Sequence, residues 1–150
     1  MRAVVQKVTS ARVHVGERVT GEIGRGLLVL VGIARDDTTD DVRYVGGKIL
    51  DMRIFEGEDG RPNDRSIIDV NGSLLVVSQF TLYGDMRKGR RPSFDSAASP
   101  DGARRLYDEL VRELSTASIP VATGEFRAAM QVELVNDGPV TILVDSRRQF

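Results

Sequence analysis

The stretch Leu27-Leu28-Val29-Leu30-Val31-Gly32-Ile33 is an uninterrupted apolar run that contains no charged side chain. A strand with one face in water alternates between apolar and polar residues, whereas a strand covered on both faces is apolar throughout. We therefore predict a buried strand here, with other parts of the protein packed on both of its faces.

Shorter strand patterns precede this run. Residues 2–8 are rich in β-branched side chains, and residues 11–15 alternate as Ala-Arg-Val-His-Val. Residues 19–23 form a further short strand, after which Gly24-Arg25-Gly26 predicts a turn. The chain before the apolar run is thus predicted to consist of strands.

Two helix starts follow the run. Thr38 precedes two acidic residues, which is typical of a capped helix whose first turn carries negative charge. Ser99-Pro100 predicts a second helix, with serine as the cap and proline at the first helical position. Apolar residues at helical spacing continue each one: Val42, Val45, Ile49 and Met52 in the first, and Leu106, Leu110 and Leu114 in the second. Gly46-Gly47 weakens the first helix by about 1 kcal/mol per glycine, and a close approach to the sheet would explain the pair.

The remaining strand patterns complete the predicted architecture. Residues 73–82 predict a long strand, and residues 130–135 and 140–144 predict two more, joined by Asn136-Asp137-Gly138-Pro139 as a turn. Many strands with two inserted helices favour an α/β fold, a layered sandwich with a strongly curved, mostly antiparallel sheet and both helices on one side. At 150 residues, the chain is expected to form a single domain, residues 1–150.

Composition narrows the class of protein. The chain has no cysteine, which excludes disulfides, thiolate metal ligands and cysteine nucleophiles, and which fits a cytoplasmic protein. No apolar run approaches the roughly 18 residues of a membrane span, and the N-terminus lacks a signal-peptide pattern. Because the formal net charge is only −1, any contact with nucleic acid must come from a local basic patch.

Ser78-Gln79-Phe80-Thr81 interrupts an apolar run with polar residues. In a regular strand, Gln79 and Thr81 would lie on one face and Ser78 and Phe80 on the other. All four can serve one pocket only if the strand bulges or ends here, or if some of them act through backbone N–H groups. The simpler interpretation is an edge strand with a few polar residues facing water.

Thr81 is a candidate nucleophile, but a threonine hydroxyl needs a base to activate it. The only histidine is His14, whose position in the Val13-His14-Val15 alternation predicts an exposed strand residue. A Ser-His-Asp type of triad is therefore disfavoured, and no histidine or cysteine cluster predicts a metal. Catalysis by positioning and by backbone donors to an oxyanion remains.

One basic cluster follows this segment directly. It consists of Arg87, Lys88, Arg90 and Arg91, four cations within five residues. Such a cluster can be a merely solvated loop. Its position predicts instead that it lies at the mouth of the same site, where the phosphates of a nucleic acid would be its natural partner.

The segments Ser78–Leu82 and Asn136–Thr141, with Met1–Gln6 at the start and Lys88–Phe94 between them, resemble the motifs of the D-aminoacyl-tRNA deacylases almost from end to end. The resemblance implies a barrel-like sheet, a homodimer with active sites at the subunit interface, no cofactor and no metal. It implies hydrolysis of the ester that joins a D-amino acid, or glycine, to the tRNA acceptor end, as chiral proofreading in translation. The residues it assigns are Thr81 and Gln79 as catalytic, Ser78, Phe80, Gly138, Pro139, Phe126 and Met130 as substrate-binding, and Arg87, Lys88, Arg90 and Arg91 as tRNA-binding.

The resemblance gives Gly138-Pro139 a particular role. In the family this peptide bond is cis and reaches into the partner's pocket, where its carbonyls fix the substrate's α-amino group and its backbone excludes an L side chain. Lys7 stands where the family commonly has arginine, which supports this loop; lysine keeps the charge but loses the bidentate fork. Arg127 and Ala129 replace the family's usual glycine and aspartate.

Two other functions fit the same residues. A non-catalytic RNA-binding module could use the basic cluster to hold tRNA ends. A metabolic hydrolase of free D-amino-acid esters or amides could use the same pocket, although it would have no need of the basic cluster. Release of free amino acid from D-aminoacyl-tRNA separates an enzyme from the binding module. Thr81-centred catalysis and assistance by the tRNA's own 2′-hydroxyl both remain open, and the lack of a base beside Thr81 favours the second.

Overall fold

The computed structural model describes residues 1–150. In chain order the strands and helices are β1 (Arg2–Val15), β2 (Arg18–Ile23), β3 (Gly26–Gly32), α1 (Thr39–Asp51), β4 (Ser73–Ser78), a 3-10 turn (Phe80–Tyr83), α2 (Pro100–Ser115), β5 (Val121–Thr123) and β6 (Gln131–Asp145). The predicted α/β class is confirmed.

All six strands form one sheet in which β1 is central. The strand order is β2-β1-β3-β4-β5, and β6 pairs with β1. The pairings of β1 with β2, β3 and β6 are antiparallel, whereas β3 with β4 and β4 with β5 are parallel. Each parallel pair needs a long crossover, and α1 and α2 supply one each.

The sheet curves until its two ends nearly meet, as a barrel does. A Cβ atom built on Gly21 of β2 would lie only 2.3 Å from the carbonyl oxygen of Thr123 in β5. No ladder of hydrogen bonds joins these two strands. Glycine is therefore required at position 21 by the close approach of two backbones, and the barrel stays slightly open at this seam.

Both helices pack on one side of the sheet, where the larger apolar core lies. It joins β3 and β4 to Val45 and Ile49 of α1 and to Leu110 and Leu114 of α2, all of which are fully buried. A second, smaller cluster around Leu28, Leu75 and Val77 fills the opposite face of the sheet. The apolar run that predicted a strand covered on both faces is therefore confirmed.

The helix starts also agree with the sequence. The backbone N–H of Thr38 donates to Asp41 Oδ2 at 2.7 Å, and Ser99 Oγ accepts from the backbone N–H of Gly102 at 3.4 Å. The proposed reason for Gly46-Gly47 was wrong. Gly46 faces α2, where a Cβ would lie 3.0 Å from Glu113 Cγ, and Gly47 has open space around it. Neither helix combines the length and the apolar character needed to cross a bilayer.

Two strand boundaries differ from the prediction. Residues 2–8 and 11–15 belong to one strand, β1, and residues 130–135 and 140–144 belong to one strand, β6. The supposed turn at residues 136–139 is a bulge, because β6 continues to pair with β1 on both sides of it. Strand β5 was not predicted, since three residues carry too little pattern.

The seam between β2 and β5 generates the first prediction. Gly21→Ala should lower the free energy of unfolding by about 1–3 kcal/mol, the usual effect of inserting a methyl group into a packed position. Gly24→Ala is the matched control, because a Cβ at position 24 meets nothing within 4 Å. Urea denaturation of both variants measures the difference, and equal stabilities would show that the seam is loose.

Candidate active site

Strand β4 ends early because residues 96–98 form hydrogen bonds with residues 33–35, the part of the chain that β4 would pair with next. The backbone N–H of Gln79 donates to the carbonyl of Val31 at 2.7 Å. Beyond that point the carbonyl of Ile33 accepts from Ala98 N–H at 2.9 Å, and Ala34 bridges to Ala97. The predicted strand over residues 73–82 was therefore wrong in its second half, and the chain leaves the sheet after Ser78.

Residues Phe80–Tyr83 form a 3-10 turn that holds Thr81 at the surface. The first N–H groups of such a turn, here those of Phe80 and Thr81, have no hydrogen-bond partner within it. The Arg2 guanidinium donates to the carbonyl of Leu82 at 3.1 Å and lies 4.6 Å from the centre of the Tyr83 ring. Burial raises the pKa of the Tyr83 phenol, which keeps it neutral.

A pocket of about 810 Å³ opens beside this turn. Six of the predicted site residues line it together: Ser78, Gln79, Phe80, Thr81, Phe126 and Met130. The first four residues can line one pocket because the strand ends here, which is one of the alternatives that the sequence left open. The pocket is also lined by residues of the segment before α2 and of the start of α2, namely Phe94, Ala97, Ala98, Pro100 and Ala103.

The pocket is mainly apolar and holds almost no titratable group. Twelve of its 17 lining residues are hydrophobic, and Arg127 is the only ionisable one. His14 is not among them; its Nε2 lies 3.3 Å from Glu133 Oε2, in a partly exposed network on β1. The Thr81 hydroxyl therefore has no base from the same chain in this pocket, as the sequence predicted. The arrangement can bind a partly apolar molecule and present polar groups to it from one end.

The basic loop is attached to the pocket through an aromatic pair. Phe94 and Phe80 pack edge to face with ring centres 5.0 Å apart, and Asp85 and Ser93 exchange backbone hydrogen bonds at the base of the loop. Arg87 Nη2 lies 2.6 Å from Asp85 Oδ2, and this contact holds the pKa of Asp85 well below its usual range. The other cations, Lys88, Arg90 and Arg91, are exposed on the loop and form no ion pair.

Gly138 and Pro139 are exposed on the bulge of β6, their peptide bond is cis, and neither lines the pocket. Val132, which does line it, pairs with Val13, whereas Asn136 at the start of the bulge pairs with Val8. These β1 positions are about 16 Å apart at roughly 3.3 Å per residue. Within one chain, the structure therefore does not bring the Gly-Pro pair to the Ser78–Thr81 segment.

The bulge is held by contacts that the sequence indicated only in part. Lys7 is buried, with its Nζ 2.5 Å from Glu56 Oε1 and 3.6 Å from Asp137 Oδ2, and its hydrogen bond lowers the pKa of Glu56. Asn136 Nδ2 donates to the carbonyls of Lys7 and Val140, at 2.9 and 3.1 Å, and so closes the bulge. Asn136-Asp137 belongs to the Asn136–Thr141 motif, but nothing local in that motif predicts Glu56 as a partner of Lys7.

The outer edge of β6 is unpaired along its length, since its only partner is β1. Val135, Ile142 and Leu143 are exposed there, by 57%, 38% and 55% respectively. A long edge strand with exposed apolar side chains is a ready surface for pairing with another chain, and natural proteins seldom leave one uncovered.

Comparisons with known proteins agree with one another. The family model for D-Tyr-tRNA(Tyr) deacylase matches residues 4–145. Proteins called D-aminoacyl-tRNA deacylase from Thermosipho africanus and Clostridioides difficile are 53% and 55% identical over 150 residues, with all of both chains covered in each case. A solved structure of the c-Myc DNA Unwinding Element Binding Protein superposes with a TM-score of 0.91 at 40% identity, covering 97% of this chain and 98% of that one. A probable eukaryotic D-amino acid tRNA deacylase shares the fold, with a TM-score of 0.82 at 20% identity, covering 95% and 97% of the two chains.

The second prediction concerns the two hydrogen bonds by which the Asn136 side chain closes the bulge, called here the Asn136 clip. Asn136→Ala removes both side-chain hydrogen bonds and leaves two part-buried carbonyls without that partner, which should lower the free energy of unfolding by about 1–3 kcal/mol. Gln131→Ala, an exposed position on the same strand, is the control and should change little. Urea denaturation gives both values, and an unchanged midpoint for Asn136→Ala would show that the bulge needs no clip.

Proposed function

The chain belongs to the D-Tyr-tRNA(Tyr) deacylase family, and from this premise we propose how it selects its substrate and carries out the reaction. It is a hydrolase that acts on the ester bond of D-aminoacyl-tRNA. We propose that the pocket beside Thr81 binds the terminal adenosine and its ester, and that glycyl-tRNA is a second substrate. The observation that supports this most directly is a roomy, mainly apolar pocket with Ser78, Gln79 and Thr81 grouped at one end.

The proposed chemistry needs positioning more than proton transfer. An aminoacyl ester is already activated, so its barrier to hydrolysis is modest. The N–H groups at the start of the 3-10 turn, together with the side-chain amide of Gln79 and the hydroxyl of Thr81, would stabilise the oxyanion that forms when water attacks the carbonyl. The neighbouring 2′-hydroxyl of the tRNA would assist that water. The lack of a base from the same chain in the pocket supports this division of roles.

We further propose that the selective element comes from a second copy of the chain. Gly138 and Pro139 are exposed on a braced bulge, and the free apolar edge of β6 lies along the same strand. A two-fold dimer would use each such surface twice. In each pocket the partner's Gly-Pro carbonyls would hold the α-amino group, and the rigid backbone would leave no room for an L side chain, whereas glycine would be accepted.

The basic loop would contact the phosphates of the acceptor end. Lys88, Arg90 and Arg91 are exposed cations without a carboxylate partner, so they are free to replace counterions along a nucleic acid backbone. Arg87 is already neutralised by Asp85 and is expected to contribute less. The Phe80–Phe94 contact would keep the loop beside the pocket.

Chirality tests the proposed function as a whole. D-aminoacyl-tRNA should be hydrolysed, and the L form should be slower by more than about 10²-fold, a difference of more than about 3 kcal/mol in activation free energy. The assay follows release of free amino acid from D-, L- and glycyl-tRNA in parallel, with enzyme-free samples as the control. Equal rates on both enantiomers would contradict the proposal.

A second test separates the two sources of catalysis. Thr81→Ala should lower kcat by less than about 10³-fold, the upper range for losing one oxyanion donor, without abolishing the reaction. For the wild-type enzyme, replacing the terminal 2′-hydroxyl of the tRNA by hydrogen should lower kcat more than Thr81→Ala does. An inert alanine variant combined with normal hydrolysis of the deoxy substrate would show that threonine is the nucleophile.

Mixed dimers test whether each pocket receives its Gly-Pro pair from the partner subunit. One variant carries Gly138→Ala with Pro139→Ala, and the other carries Gln79→Ala, Phe80→Ala and Thr81→Ala. A heterodimer of the two has one pocket with both elements intact and one with both defective, so it should recover about half of the wild-type selective activity. Differently tagged chains allow heterodimers to be purified before assay. If verified heterodimers recover nothing, each pocket is built from its own chain.

A further inference from the structure

Arg127 occupies a backbone position that suits glycine. The N–H of Ala128 donates to the carbonyl of Glu125 at 3.2 Å, which closes a β-turn with Phe126 and Arg127 at its centre. Arg127 has a φ of +67°, as the third residue of a type II turn must, and glycine or asparagine normally fills that position. A long side chain held in this conformation is a reason to look for a function.

Arg127 is an exposed residue at the pocket proposed to hold the substrate. It lines the same pocket as Gln79 and Thr81, and it is the only ionisable residue that does so. It forms no ion pair, and Glu125 of the same turn is engaged by Arg18 at 2.9 Å. The neighbouring Arg104 lies over the Phe126 ring at 5.3 Å and pairs with Asp108 at 3.3 Å. Arg127 is thus an exposed arginine without an ion pair at an otherwise uncharged pocket.

We propose that Arg127 binds the phosphodiester on the 5′ side of the terminal adenosine, which makes it a specificity-determining residue of this chain. This inference rests on the proposed function, because it takes the pocket to be the adenosine site. A guanidinium suits phosphate oxygens, which it can contact through two N–H groups at once. The other anionic group that a substrate could bring is the carboxylate of a D-aspartyl or D-glutamyl side chain, and the experiment distinguishes the two.

The test uses minimal substrates that differ by one phosphate. These are 2′(3′)-O-D-alanyl-adenosine and the same ester of adenosine 5′-monophosphate, with the D-aspartyl esters as a second pair. Equilibrium binding of adenosine and of adenosine 5′-monophosphate provides a readout that needs no catalysis. The wild-type protein should favour the phosphorylated member of each pair by about 10-fold or more, within the usual range for a charged hydrogen bond.

Three variants give the comparison. Arg127→Gln removes the charge, and Arg127→Gly removes the side chain while allowing the left-handed backbone without strain. Arg43→Gln is the control, since Arg43 is an exposed residue of α1 whose ion pair is with Asp40. Both Arg127 variants should lose the preference for the phosphate, and Arg43→Gln should keep it. The melting temperature of Arg127→Gly should not fall, which excludes unfolding as the cause.

Each other result overturns the inference in a distinct way. A retained phosphate preference in both Arg127 variants shows that another group binds the phosphate. If the Arg127 variants lose activity only on the D-aspartyl esters, Arg127 binds the carboxylate of the amino acid side chain instead. If the wild-type protein hydrolyses none of the esters, the proposed function fails. Binding of the two nucleotides then decides the role of Arg127 by itself, and equal affinities of wild type and Arg127→Gln for adenosine 5′-monophosphate would refute it.

Discussion

The structure depends on the pairing of β1 along both of its edges. One edge carries β3 and then β2, and the other carries β6 for nearly the whole length of the strand. These backbone hydrogen bonds fix β6 in register, and β3 in turn positions β4. Because register determines which face each side chain occupies, the same pairing determines the location of the pocket residues Val31, Val77 and Val132.

The candidate site is formed where the regular sheet stops. Residues 96–98 pair with residues 33–35, directly after β3, where β4 would otherwise continue to pair, and β4 is replaced by a turn at Phe80. The outcome is a set of backbone donors next to an apolar pocket. An environment of this kind strengthens hydrogen bonds to a developing charge, so the geometry suits a reaction whose substrate is already reactive and needs mainly orientation.

Sequence reasoning succeeded where the deciding interactions are local. The caps at Thr38 and Ser99 and the apolar run at 27–33 depend on neighbouring residues, and all three were predicted. It failed at Ser78, because the segment that ends β4 lies about twenty residues away and carries no matching pattern. It also failed at residues 136–139, where Gly-Pro is typical of a turn and where only the Asn136 clip and the pairing with β1 reveal a bulge. The grouping of Ser78, Gln79, Phe80 and Thr81 around one pocket followed from the family resemblance and not from strand periodicity.

The continuity of β6 limits how this chain can change in length. Val132 lines the pocket and Asn136 closes the bulge, and both are positioned by their partners Val13 and Val8 on a single neighbouring strand. Substitutions between them leave that spacing intact. An inserted or deleted residue would turn every following side chain to the opposite face and would draw the Asn136 amide away from the carbonyl of Lys7. Sequence drift over residues 132–136 is therefore expected to proceed by replacement alone, whereas exposed loops such as 58–63 are free to grow or shrink.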